Sequence, residues 1–136
     1  NNHGDCGQVT LIFLTLCRSI GIPAHFQSGF MLHPGDENLH DWGEIYIQDL
    51  GWVPVDMSFG IPAYAQNEKE TFFFLGGIDS FRMVVNNDFG CPLYPAKQYP
   101  RSETVDFQRG EVEWQGGNLY FDKWKWNIEV LERTDL

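Results

Sequence analysis

His40-Asp41-Trp42-Gly43-Glu44-Ile45-Tyr46 and Gly51-Trp52-Val53-Pro54-Val55-Asp56 are two alternating runs split by a turn signal at Asp49-Leu50-Gly51. Their spacing predicts a β-hairpin over 40–47 and 51–56. In the first arm His40, Trp42, Glu44 and Tyr46 share a face, opposite Ile45 and Ile47. In the second, Trp52, Pro54 and Asp56 lie opposite Val53 and Val55. His40 and Asp56 are sixteen positions apart. With an odd-numbered loop, that even separation puts both on one side of the sheet, within reach of each other.

Working outward, residues 6–20 read as a buried helix. Asp5 stands at the N-cap and Gln8 completes a capping-box pattern. Apolar residues from Val9 to Ile20 go nearly all round, which predicts a central helix covered on most sides. Gly21, an apolar Ile22 and Pro23 form a strong stop. Residues 25–32 read as a strand and 33–38 as a loop. Downstream, 57–70 is irregular, 71–75 is an apolar run ending at Gly76-Gly77, and 81–86 is a strand. Residues 91–101 hold three prolines and form a surface loop. The tail reads as strands over 112–115, 118–121 and 124–131, the first two joined at Gly116-Gly117. The fold class is therefore α+β, a central N-terminal helix against an antiparallel sheet, with residues 1–136 as one domain.

Hydrophobic residues at 43% and aromatics at 15% place the chain among globular proteins. A formal charge of −10 with only nine Lys and Arg argues against nucleic-acid and anionic-membrane partners, which need clustered cations. No apolar run approaches the length of a transmembrane helix. Cys6, Cys17 and Cys91 make no disulfide framework. Along a helix Cys6 and Cys17 lie about 16 Å apart, beyond bridging distance. The chain opens at Asn1 and reads as a domain excised from a longer protein, without its upstream elements.

The chemistry centres on Cys6. At a helix start its sulfur meets unpaired N–H groups and the positive dipole end, which lower a thiol pKa and can hold an oxyanion. Its bland reading is a small buried filler. Gly4 and Gly7 favour the active one, because glycines let a substrate backbone approach. His40 with Asp56 makes a base and its orienter; taken singly, they read as a strand histidine and a turn aspartate. Trp42 and Trp52 are expected to wall the site, their plainer role being packing. His3, Cys6 and His40 match no zinc spacing. His25 and His33 read as structural or solvated; Glu44 reads as solvated or paired. Trp124, Trp126, Ile128 and Val130 alternate with polar residues. That pattern suits a strand packed on the core, or a surface for sugar or peptide.

Together these residues resemble the transglutaminase-like superfamily, of papain-like fold. The resemblance runs through Gly4-Asp5-Cys6, through Leu16-Cys17-Arg18-Ser19-Ile20-Gly21-Ile22-Pro23-Ala24, and through both hairpin arms. Less specifically, Phe72-Phe73-Phe74-Leu75-Gly76-Gly77-Ile78-Asp79 and Phe81-Arg82-Met83-Val84 are similar to the downstream sheet of bacterial members. The resemblance implies a triad of Cys6, His40 and Asp56, needing no cofactor. It implies a protein or peptide substrate offering a glutamine side chain or a peptide amide. The acyl group passes through a thioester to an amine or to water. A non-catalytic relative binding peptide or glycan is the alternative. Exported bacterial members imply a periplasmic or extracellular setting. Three departures bear on pocket shape: His25 where many relatives have arginine, Asp41 and Gly43 flanking Trp42 in place of small and β-branched apolar residues, and Met57 in place of proline.

Overall fold

A computed structural model describes residues 3–60, 62, 65–105 and 107–131. Helix α1 (Cys6–Ser19) begins at a capping box. Gln8 N–H donates to Asp5 Oδ1 at 2.8 Å, and Asp5 N–H donates to Gln8 Oε1 at 3.3 Å. It ends as its sequence requires. Ile22 N–H reaches Cys17 O at 2.9 Å and Gly21 N–H reaches Arg18 O at 3.1 Å. Gly21 takes the left-handed φ of 86° that this paired C-cap demands.

Four antiparallel strands follow, β1 (Ala24–Met31), β2 (Asn38–Ile47), β3 (Gly51–Val55) and β4 (Arg82–Asn87), in the order β3-β2-β1-β4. Between β3 and β4 lies a single helical turn, α2 (Glu68–Thr71). A small hairpin, β5 (Val112–Trp114) with β6 (Gly117–Leu119), stands apart from the main sheet. The predicted hairpin forms, with Ile47 opposite Gly51. At Gly29 a bulge shifts the β1–β4 register. A Cβ there would lie 1.9 Å from Met83 O, so only glycine admits the approach of β4.

Helix α1 lies across β1 and β2. Leu14, Cys17, Ala24 and Phe26 form the buried cluster, with Leu11, Phe13, Ile22 and Ile45 against it. Gly43 sits beneath Leu14, where a Cβ would come within 2.8 Å of Leu14 Cδ2. Two expectations are corrected here. The helix is covered on one side only, since Ile12, Leu16 and Ile20 are 61–74% exposed; apolar residues all round did not find cover all round. Residues 124–131 form no strand. A 3₁₀ turn (Phe121–Lys123) precedes an irregular run, and no strand edge pairs with its backbone. Trp124 Nε1 donates instead to Leu119 O at 3.0 Å.

Candidate active site

Cys6 is the first residue of α1 and opens on a cleft of about 450 Å³. Its sulfur donates to Asp41 Oδ2 at 3.2 Å. Asp41 is also held by Gln108, whose Nε2 donates to Oδ1 at 3.0 Å, and by Thr10 Oγ1, which donates to its backbone carbonyl at 3.3 Å. Burial pushes the Cys6 thiol up to about 12, helped by the charge of Asp41 and the hydrogen bond to it. Backbone hydrogen bonds at Asp41 and Gly7 pull it down and are outweighed. The expectation of a thiol acidified by the helix start is thus overturned. Burial of the sulfur first, and the carboxylate in contact with it second, oppose a thiolate more strongly than the helix end favours one.

Strand alternation gives His40 to the side of β2 away from Asp41. There His40 Nε2 meets Asp56 Oδ2 at 2.8 Å, both residues buried. The other carboxylate oxygen, Oδ1, accepts from Ser58 N–H at 3.0 Å. Trp42 stacks on the imidazole at 6.0 Å between centroids, and its Nε1 donates to Gln27 Oε1 at 2.8 Å. Among the described residues no hydrogen bond joins Cys6 to His40, and His40 does not line the cleft. Histidine and aspartate are brought together by a hydrogen bond; sulfur and histidine are not.

Arg82 completes the buried group, and sequence reasoning missed it. Its Nη1 lies 3.0 Å from Asp56 Oδ2, touching without the alignment of a hydrogen bond. Its Nε and Nη2 donate to Asp79 Oδ2 at 3.2 and 3.1 Å. The guanidinium carbon is 4.5 Å from the Phe59 ring centroid and 5.9 Å from that of Trp42. Burial raises the Asp79 carboxyl, but Arg82, the Phe81 amide and His33 together hold it below its ordinary value.

The remaining candidates scatter. Gly7 faces Asp41, since a Cβ there would lie 3.0 Å from Oδ2. Trp52 stands opposite Tyr46 at the far end of the hairpin, against the His25 ring at 4.5 Å. His25 and His33 both have acidic partners across the fold. His25 meets Glu44 at 2.8 Å and His33 meets Asp79 at 3.2 Å. Asp41 sat in plain view within the hairpin motif, on the face opposite His40. Gln108 carried no sequence signal. Among the described residues no three His, Cys, Asp or Glu side chains gather as a metal site, and no helix is long and apolar enough to cross a membrane.

Residues 1–57 match the transglutaminase-like superfamily. That stretch holds Cys6, His40 and Asp56, and it ends one residue past the aspartate. The transglutaminase-like segment comprises α1 and strands β1 to β3; β4, with Arg82, lies beyond it. No curated protein and no solved structure matches the chain.

Proposed function

We propose that this chain is a cysteine acyl-transfer domain with a papain-like core, acting on protein or peptide amides. His40 takes the Cys6 thiol proton as Sγ attacks the amide carbonyl carbon, and the C–N bond breaks as the same imidazolium returns that proton to the departing amine. The acyl group rests on sulfur as a thioester. An amine or a water then attacks the same carbon, gives its proton to His40, and releases the sulfur. A glutamine side chain attacked by an amine is cross-linked; water gives hydrolysis. Asp56 holds the ring through Nε2 and steadies the imidazolium, which leaves Nδ1 as the working nitrogen. When substrate fills the cleft, the thiol exchanges Asp41 for the imidazole.

The buried 2.8 Å contact between His40 Nε2 and Asp56 Oδ2 carries this reading. A surface histidine needs no such partner, and the pair stands at the two positions that the resemblance marks, one on β2 and one just past the end of β3. A second reading is favoured by a separate observation, that the sulfur is engaged by Asp41. In it the domain is an inactive relative that binds peptide or glycan, using the groove between Arg109, Phe121, Trp124 and Trp126.

Incubation of the whole chain with a glutamine-containing peptide and a labelled primary amine, scored by mass, separates the two. Amine incorporation or loss of the amide, abolished by Cys6→Ala and by His40→Ala, supports acyl transfer. An unchanged peptide with an intact Cys6 thiol removes that reading and leaves the binding module.

A further inference from the structure

Asp56 Oδ2 serves two partners at once. His40 Nε2 stands 2.8 Å from it and Arg82 Nη1 3.0 Å from it, while Oδ1 is taken by the Ser58 amide. Behind the guanidinium, Asp79 Oδ2 accepts from Nε and Nη2. Asp79 Oδ1 accepts from the Phe81 amide at 2.9 Å and faces His33 Nε2 at 3.2 Å. Phe59 closes the group with apolar surface, its ring centroid 4.5 Å from the guanidinium carbon and 5.6 Å from that of His40. The strand that carries Arg82 lies beyond residues 1–57, the segment that matches the transglutaminase-like superfamily.

Element by element, Asp56 faces His40 from just past β3 and Arg82 from β4, with Asp79 and His33 behind the guanidinium. Along β2 the neighbour is Trp42, and across on β1 it is Gly29, which has no side chain. Asp41 turns to the opposite side of β2. The fixed charges of the group are two carboxylates against one guanidinium, a net single negative. A buried carboxylate by itself favours the imidazole in its cationic form. A ring in that form has no lone pair with which to take a proton. The guanidinium at the same oxygen opposes the cation twice: it repels a second positive charge, and it takes up part of the carboxylate's field. The Cys6 thiol, pushed up to about 12, holds its proton at neutral pH. The ring must therefore arrive neutral to remove it.

We propose that Arg82 is a positioning residue for the His40–Asp56 pair, sharing the Asp56 oxygen so that His40 stays a neutral base. Its charge acts through Asp56, and it does not line the cleft at Cys6. Asp79 plays the opposite part. By holding Nε and Nη2 it draws the guanidinium off Asp56 and leaves more of that carboxylate to His40. No bond is made or broken. The inference rests on the reading above in taking His40 as the group that accepts the Cys6 proton.

The test is a titration of the histidine rings in the whole chain, followed by two-dimensional proton–nitrogen NMR between about pH 4 and 9. In Arg82→Met the His40 midpoint should rise by about one pH unit, tenfold in the ratio of imidazolium to imidazole. In Asp79→Asn it should fall. Arg82→Lys keeps the cation and should restore most of the parental midpoint. Loosened packing would move the ring the same way in both charge-removing variants, toward a free imidazole; only the charges themselves move it in opposite directions. His25 is the internal control, at the far end of β1 from Met31, the partner of Arg82; it should titrate alike in every variant. An unmoved or lowered His40 midpoint in Arg82→Met overturns the proposal, as does an unmoved or raised one in Asp79→Asn. So does a matching shift at His25, or an Arg82→Lys midpoint as high as that of Arg82→Met. Should Arg82→Met not fold, Asp79→Asn, at a 20% exposed side chain, decides alone. The acid limb of acyl transfer should move with the ring. Titration itself needs no acyl transfer, so a chain that forms no thioester loses the functional reading while the midpoints still decide this one.

Discussion

Asp56 answers to three groups at once, His40 and Arg82 at Oδ2 and the Ser58 amide at Oδ1. Its side chain is fully buried and that of Arg82 is 2% exposed. Asp56→Ala leaves the guanidinium facing a missing charge, and should cost about 3–5 kcal/mol in urea unfolding. Alanine at 56 therefore reports on the fold as much as on catalysis. Asp56→Asn keeps the shape and isolates the charge; it should lower acyl transfer far more than it lowers the unfolding midpoint. At Cys6 the sign is equally definite. With its thiol held up at about 12, alkylation without added ligand should be slower at pH 7 than for a free thiol. The rate should then climb about tenfold per pH unit well past pH 9. A plateau near pH 7 would contradict the burial of the thiol and its contact with Asp41.

At the scale of elements, the predicted helix and hairpin appear because their signals are local. The cap of α1 lies within Asp5 to Gln8, its stop within Cys17 to Ile22, and the hairpin turn within three residues. Residues 124–131 failed for the complementary reason. Alternation marks a strand only where an edge is free to pair, and nothing local to Trp124 or Trp126 says whether one is. The bulge at Gly29 was equally invisible, being a property of how β4 meets β1. Gly29→Ala should push β4 away and cost about 1–3 kcal/mol in chemical denaturation. Since β4 begins with Arg82, the same variant should loosen the Asp56 cluster. A Gly29→Ala chain as stable as the parent would show that the approach of Met83 O is not needed.

Across the whole molecule, acidity works in two directions. Ten excess negative charges favour solubility and repel one another, while particular carboxylates hold segments in place. Burial raises the Glu111 carboxyl, but the Ser102 and Glu103 amides and Lys97 pull it below its ordinary value. These contacts are 3.0 and 2.9 Å to the amides and 3.4 Å to Lys97 Nζ. They tie the proline-rich loop to the segment that carries Gln108. Asp79 is lowered as well. A carboxyl with a depressed folded value stabilises above its unfolded value and loses that contribution as pH falls. Thermal stability should therefore drop as pH is taken below about 4.5, the ordinary glutamate value. Cys6 runs the other way. Its raised value favours the fold below pH 9 and withdraws that contribution between pH 9 and about 12. Glu111→Gln should flatten part of the acid limb and leave the alkaline limb unchanged.

The sequence by itself determined the helix with both its ends, the hairpin, and the common face of His40 and Asp56. Those follow from hydrogen bonds between near neighbours and from a period of two. Only the tertiary structure decided that Asp41 meets Cys6, that Arg82 meets Asp56, and that Trp52 stands away from the site. Periodicity tells which side of a strand a residue faces. What lies across that side depends on the packing of segments dozens of residues away.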